Sequence, residues 1–376
     1  MNKNRLLRIT FQICLVVLSV TSLDSCNTIK KFMPGKKGGG ESAESGPGGG
    51  KGRRGRKGGD KEVAGISNGE ITATARKNFK QSAPTGMVLI PSGSFVMGQA
   101  DEDVMASQVN MNKRITIVPF YMDETEITNN EYRQFTDVMM EDSVSVLGEE
   151  YIMTKLYPDT AVWTKDFTYH NGDQMTESYF SSPAFDMYPV VGVSWDAAQE
   201  FSKWRTKLLN DYLSEHDKAR SPSFRLPSEA EWEWAARGNK EGAKYPWGNP
   251  YVANSKGCFL ANFKPFRGNY RADGFAYTAP SNAFSPNDFG LYNMAGNVAE
   301  WCQDAWSDSY MPLTWDMNPV YNLEDEPRKV IKGGSWKDIA YFLETGTKSY
   351  DYRNATRSFI GFRCVMNRLG QVPGRE

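Results

Sequence analysis

Histidine is nearly absent from this sequence: two occur in 376 residues, His170 and His216, and both read as surface side chains. There is no H-E-x-x-H pair and no G-x-x-x-x-G-K-[ST] loop, which removes zinc-peptidase and phosphate-loop chemistry. Long apolar runs are also scarce. The one candidate, Ile9 to Val20, is too short to cross a bilayer, and it follows Lys3, Arg5 and Arg8 as the apolar segment of a signal peptide does. Of five cysteines, Cys14 and Cys26 belong to the leader; the remaining Cys258, Cys302 and Cys364 permit at most one intramolecular bridge and do not choose the pair. Beyond residue 61 there is no excess of positive charge. Residues 1–61 carry 13 Lys and Arg against 4 Asp and Glu, whereas residues 62–376 carry 31 against 41. A body of net charge −10 is a poor match for nucleic acid, whose binding rests on neutralising phosphates.

What is present divides into a leader and a body. Residues 1–25 read as a lipoprotein signal peptide ending in Leu23-Asp24-Ser25-Cys26, which resembles a lipobox although Asp24 replaces the usual small residue. Cys26 is then expected to become the acylated first residue of a lipid-anchored chain. Residues 26–85 are rich in Gly, Lys and Arg and hold too little apolar surface to offset the entropy of ordering them. They are expected to act as a tether with a reach of roughly 40 Å, either solvated or touching anionic headgroups.

The whole chain is 13% aromatic, and its body, 86–376, can hold a sizeable core. Short alternating runs, Met87 to Met97 and Ile115 to Met122, predict strands. Thr128 with Glu131, and Ser228 with Glu231, have capping-box spacing and predict two helix starts, the second helix stopping at Gly238. Residues 141–186 lack clean periodicity and are expected to form an insertion on the domain surface. Tyr188 to Trp195 predicts a buried strand, with Ser194 capping a helix that packs through Ala198, Phe201, Arg205, Leu208 and Tyr212. The acids Glu124, Glu126, Glu229, Glu231 and Glu233 have capping and surface roles available. Asn293-Met294-Ala295-Gly296-Asn297-Val298-Ala299-Glu300-Trp301 has the oxygen-rich composition of a loop that folds round a hard cation; the plainer alternative is a polar turn capping a helix from Val298.

Five motifs occur in order: Met87 to Gly98, Arg225-Leu226-Pro227-Ser228-Glu229-Ala230-Glu231-Trp232, Asn293 to Trp301, Gly333-Gly334-Ser335-Trp336 and Gly361-Phe362-Arg363-Cys364. Together they resemble the formylglycine-generating-enzyme, or sulfatase-modifying-factor, domain over roughly residues 86 to 367. The resemblance implies an α+β, C-type-lectin-like fold, loop-rich with short strands and few helices. It also implies two structural calcium sites. One would use Asn262, the Phe263 carbonyl, Asp273 and the Phe275 carbonyl; the other Asn293, the Gly296 and Val298 carbonyls, and Glu300. The family's catalytic copper needs two thiolates shortly after the Gly-Gly-Ser turn, and the matching positions here are Asp338 and Leu343. Copper is therefore not expected. A branch of the family that holds iron through three histidines is excluded by the count of two. Cys364 matches a family cysteine of a structural disulfide whose usual partner position is Ser202.

A lipid-anchored domain of this kind without the copper pair resembles the GldK/PorK lipoproteins of gliding motility and type IX secretion. That likeness is closest in Leu156-Tyr157-Pro158-Asp159-Thr160-Ala161-Val162-Trp163 and Asp166-Phe167-Thr168-Tyr169. It implies a non-catalytic component of a periplasmic ring, assembled with further copies of itself and a GldN/PorN-type partner. Tyr157, Trp163, Phe167 and Tyr169 are the expected contact residues, because Tyr and Trp are enriched at binding hot spots. The alternatives are a diverged metal-dependent enzyme and a lectin-like surface binder.

Overall fold

A computed structural model describes residues 81–99, 112–167, 173–267, 269–308 and 315–369, all within one compact unit, Ala73–Glu376. Cys26 and Tyr169 lie outside the described residues. The alternating runs near the start of the body form β1 (Met87–Ile90), β2 (Gly93–Met97), β3 (Lys113–Ile117) and β4 (Phe120–Asp123). Strands β2 and β3 make a separate antiparallel ribbon with Phe95 opposite Ile115, both buried. Gln81 donates to Asn367 O and accepts from Leu369 N at 2.6 Å, so the packed body begins before the expected boundary at 86.

The capping boxes are made. Helix α1 (Asn129–Asp142) starts at Thr128, whose backbone N donates to Glu131 while its hydroxyl accepts from the Glu131 N–H. Several short helical turns follow, among them α2 (Val162–Asp166) and α3 (Gln174–Ser178), and then the long α4 (Trp195–Glu215), capped by Ser194. After β5 (Phe224–Arg225) comes α5 (Glu229–Arg237), capped by Ser228 and stopped by left-handed Gly238. The second half supplies β6 (Ala299–Ala305), β7 (Arg328–Lys332), β8 (Lys348–Tyr352), β9 (Ile360–Gly361) and β10 (Val365–Asn367). They complete two four-stranded sheets, ordered β1-β4-β10-β5 and β8-β7-β6-β9. The fold is α+β and loop-rich with short strands, as expected.

Helix α5 is buried along its whole length. Its acids are not surface groups. Glu229 pairs with buried Lys348, and Glu233 with buried Lys332 and Arg237. The two lysines face each other across the β7–β8 ladder, and the two glutamates stand one turn apart on α5, so opposed like charges are neutralised by a matched pair. Burial pushes Glu233 up, but Lys332 and Arg237 outweigh it and hold the carboxyl below its ordinary range.

Three expectations are corrected. The segment 141–186 is not a surface addition: Ile152, Leu156, Val162, Trp163, Tyr179 and Phe180 are all buried, and four aromatic rings close on Trp163. Its periodicity is broken because it is built from short helical turns that change direction, not because it is peripheral. The run from Tyr188 to Trp195 is buried but forms no ladder; Val190 N, Gly192 N and Trp195 N each bond a different loop carbonyl. On α4 the packed face is Ala197, Ala198, Phe201 and Ser202, continued by Leu209, while Leu208 and Tyr212 are exposed because they fall beside that stripe.

Candidate functional site

The loop from Asn293 to Val298 runs into β6, so the alternative of a helix starting at Val298 is wrong. Asn293, Gly296 and Asn297 have left-handed backbone, at φ 51°, 79° and 67°. Glycine and asparagine adopt that region at least cost. A Cβ on Gly296 would sit 2.2 Å from the Asn262 carbonyl oxygen, so the crossing requires glycine. Asn297 N donates to Asn262 O at 2.8 Å, Gly296 N to Gly333 O at 2.9 Å and Trp336 N to Asn297 O at 2.9 Å. One loop thus joins the Asn262 segment to the Gly-Gly-Ser turn.

Beneath the loop lies Glu126, fully buried, accepting from the side-chain amides of Asn293 at 3.2 Å and Asn297 at 2.9 Å. Burial pushes its carboxyl up to about 8, against the pull of Arg363 and with added repulsion from Glu300. Arg363, also fully buried, donates to both oxygens of Glu300 at 2.8 and 2.7 Å and to the carbonyls of Asp123 and Tyr292. Trp232 Nε1 adds a third bond to Glu300 at 2.7 Å. Sequence reasoning missed this hub. A lone arginine inside Gly361-Phe362-Arg363-Cys364-Val365-Met366 was the available signal, since a charge embedded in a core segment demands a buried partner.

The residues of the two expected calcium sets fall in neighbouring loops, the Asn262 segment bonding directly to Asn297. In the first, Asp273 accepts from Phe263 N at 2.8 Å and Phe275 N at 3.2 Å, beside buried Asn262, whose amide donates to Tyr277 O at 2.7 Å. Burial raises the Asp273 carboxyl, opposed by backbone N–H groups, and a hard cation bound at its oxygens would stabilise the ionised form. In the second, the Asn293 Oδ1 is buried with no hydrogen-bond donor, an orphan that a cation would satisfy. Glu300, the carboxylate expected in this set, is already neutralised by Arg363, and the oxygen that meets Arg363 Nη2 takes that one hydrogen bond. Neither set holds a residue type that a hard cation would reject, and the unpartnered Asn293 Oδ1 is the one buried side-chain oxygen among them without a donor.

The two positions assigned to copper thiols hold no such chemistry. Leu343 is fully buried against Tyr245, Ala261, Phe263 and Ala295. Asp338 accepts from the Ser335 hydroxyl at 2.6 Å, and burial raises its carboxyl above the ordinary range. It borders a cavity of about 190 Å³ shared with Lys332, Thr347 and Phe359. Ser202 Oγ lies 3.4 Å from Cys364 Sγ, which is where the family's disulfide partner was expected. Cys258, Cys302 and Cys364 are all free, and burial pushes the Cys364 thiol up to about 12.

Of the expected contact residues, Trp163 is 2% exposed and belongs to the core, so it is withdrawn from the contact surface. Its neighbour Phe167 is half-buried against Tyr277 and Trp336. Asp166 clamps this cluster by pairing with Lys337 at 2.7 Å and by a bond from Ser358. Tyr157 is half-buried against Phe180 and lines an open groove of about 1030 Å³, walled also by Met153, Asp159, Trp195, Glu200 and Arg353.

Residues 72–368 match the Sulfatase-modifying factor enzyme 1-like domain. The formylglycine-generating enzyme of Bos taurus is 30% identical over 315 residues, covering 77% of each chain. The enzyme of the same name from Thermomonospora curvata is 29% identical, covering 77% of this chain and 96% of its own. The inactive C-alpha-formylglycine-generating enzyme 2 of Bos taurus is 28% identical, covering 77% and 90%. Among solved structures, PvdO from Pseudomonas aeruginosa superposes with a TM-score of 0.54 at 22% identity, over 75% of this chain and 94% of that one.

Proposed function

The chain belongs to the sulfatase-modifying factor family, and from that premise we propose that it is a non-catalytic member serving as a structural lipoprotein. In this reading Cys26 carries the lipid, residues 26–85 tether the body to the periplasmic face of the outer membrane, and the body joins a ring of the type IX secretion and gliding machinery with a GldN/PorN-type partner. The supporting observation is the pair Asp338 and Leu343: one is bonded to Ser335 and the other is sealed in the core, and neither offers the soft sulfur that copper requires. A relative named as an inactive enzyme is 28% identical over 77% of this chain. Calcium has a structural role here, held by Asn262, Phe263, Asp273 and Phe275 and by Asn293, Gly296, Val298 and Glu300. It stabilises the loops because it binds only the folded chain.

With Trp163 in the core, the partner surface moves to the open groove in which Tyr157 stands. Head-to-tail contacts that close on rotation produce rings. The experiment is purification of the acylated chain from detergent-solubilised envelopes, with mass and composition of the particle measured. A large particle containing many copies and one periplasmic protein in fixed ratio supports the reading, and a monomer without companions refutes it.

A further inference from the structure

The stretch 251–272 carries Lys256, Lys264, Arg267 and Arg271 and no acid, on a body that is otherwise acidic. Among the described residues none of these four forms an ion pair. Three aromatic side chains stand out beside them: Tyr251 is 71% exposed, Phe266 60% and Tyr270 49%. Two short bridges, Ala253 with Phe259 and Phe266 with Asn269, hold the stretch as two turns, and the Phe259 and Phe266 rings touch at 5.8 Å. Lys264 lies over the Tyr270 ring at 4.9 Å. The nearest acid in sequence, Asp273, points inward to the N–H groups of Phe263 and Phe275, so it does not offset the cations.

We propose that these two turns are a membrane-contact face, with Lys264, Arg267 and Arg271 on anionic lipid headgroups and Phe266 and Tyr270 seated among them. Exposed aromatics on a folded domain mark interaction surfaces, and a polar-tipped aromatic next to cations suits the headgroup layer. The face acts without the lipid anchor, so it stands or falls separately from the reading above.

The test uses the full chain with Cys14→Ser and Cys26→Ser, so that no acyl chain contributes, and an environment-sensitive dye on Cys258, which is exposed while Cys302 and Cys364 are buried. Vesicles of phosphatidylglycerol mixed with phosphatidylcholine are expected to shift the dye to the blue, and pure phosphatidylcholine vesicles are not. Arg267→Glu/Arg271→Glu weakens the response about tenfold or more, following the contribution of each basic residue near an anionic surface. Phe266→Ala/Tyr270→Ala weakens it as well, whereas Lys203→Glu/Lys207→Glu on α4 leaves it intact. Pelleting with anionic vesicles but no dye shift assigns binding to the basic leader and overturns the proposal. A shift with a single-stranded oligonucleotide and none with vesicles overturns it too.

Discussion

Replacing Trp163 by alanine separates a core insertion from a docking loop. The indole is 2% exposed, with ring centroids of Tyr179 at 5.0 Å, Tyr277 and Trp336 at 6.0 Å and Phe167 at 6.4 Å. Removing a buried tryptophan costs about 3–5 kcal/mol, and each lost aromatic pair adds up to about 1 kcal/mol beyond area, so the upper half of that range is expected here. Against a typical stability of about 5–15 kcal/mol this is a large fraction. The Tm should fall by roughly 10 °C. Guanidinium unfolding followed by tyrosine and tryptophan fluorescence measures the loss, with Trp315→Ala as the comparison. Trp315 is 84% exposed and its removal should change stability by less than about 0.5 kcal/mol. A loss below about 1 kcal/mol for Trp163→Ala, with the native spectrum kept, would show that the insertion is peripheral after all.

Three further outcomes follow from the same geometry. Asp338 has a folded pKa above its unfolded value, so its protonated form favours folding and that contribution disappears as pH rises from about 4 through the folded pKa. Asp338→Asn should therefore raise the Tm relative to the parent at pH 7 and lose its advantage toward pH 4; an advantage independent of pH rejects the assigned burial. Ser202→Cys should close a bridge to Cys364 under oxidising conditions, since the two side-chain atoms are 3.4 Å apart, and non-reducing mass analysis should find the chain lighter by two hydrogen atoms. Excess calcium over a chelator should raise the Tm of the parent and raise that of Asp273→Asn less; equal shifts remove the first ligand set.

Local chemistry made much of this molecule readable. Thr128–Glu131 and Ser228–Glu231 form the expected caps because a capping box is decided within four residues. Gly296 and Asn297 were recognisable as loop residues for the same reason, their left-handed backbone being a property of residue type. What stayed hidden depends on distant partners. Nothing local to Trp163 says that Tyr277 and Trp336 will enclose it, so its aromatic neighbourhood read equally well as a docking surface. Glu126 and Arg363 sit 237 positions apart in sequence and meet only through Glu300, Asn293 and Asn297. The acids of α5 looked solvated because the lysines that bury with them arrive from β7 and β8 about a hundred residues later.

The proposed function requires a scaffold that keeps this family's fold without its oxygen chemistry. Anaerobic titration of the reduced chain with copper(I), followed by oxygen-uptake measurement with a cysteine-containing peptide, tests this most directly. The expected result is no stoichiometric copper and no peptide-dependent oxygen consumption; one tightly held copper per chain with turnover of the peptide contradicts it.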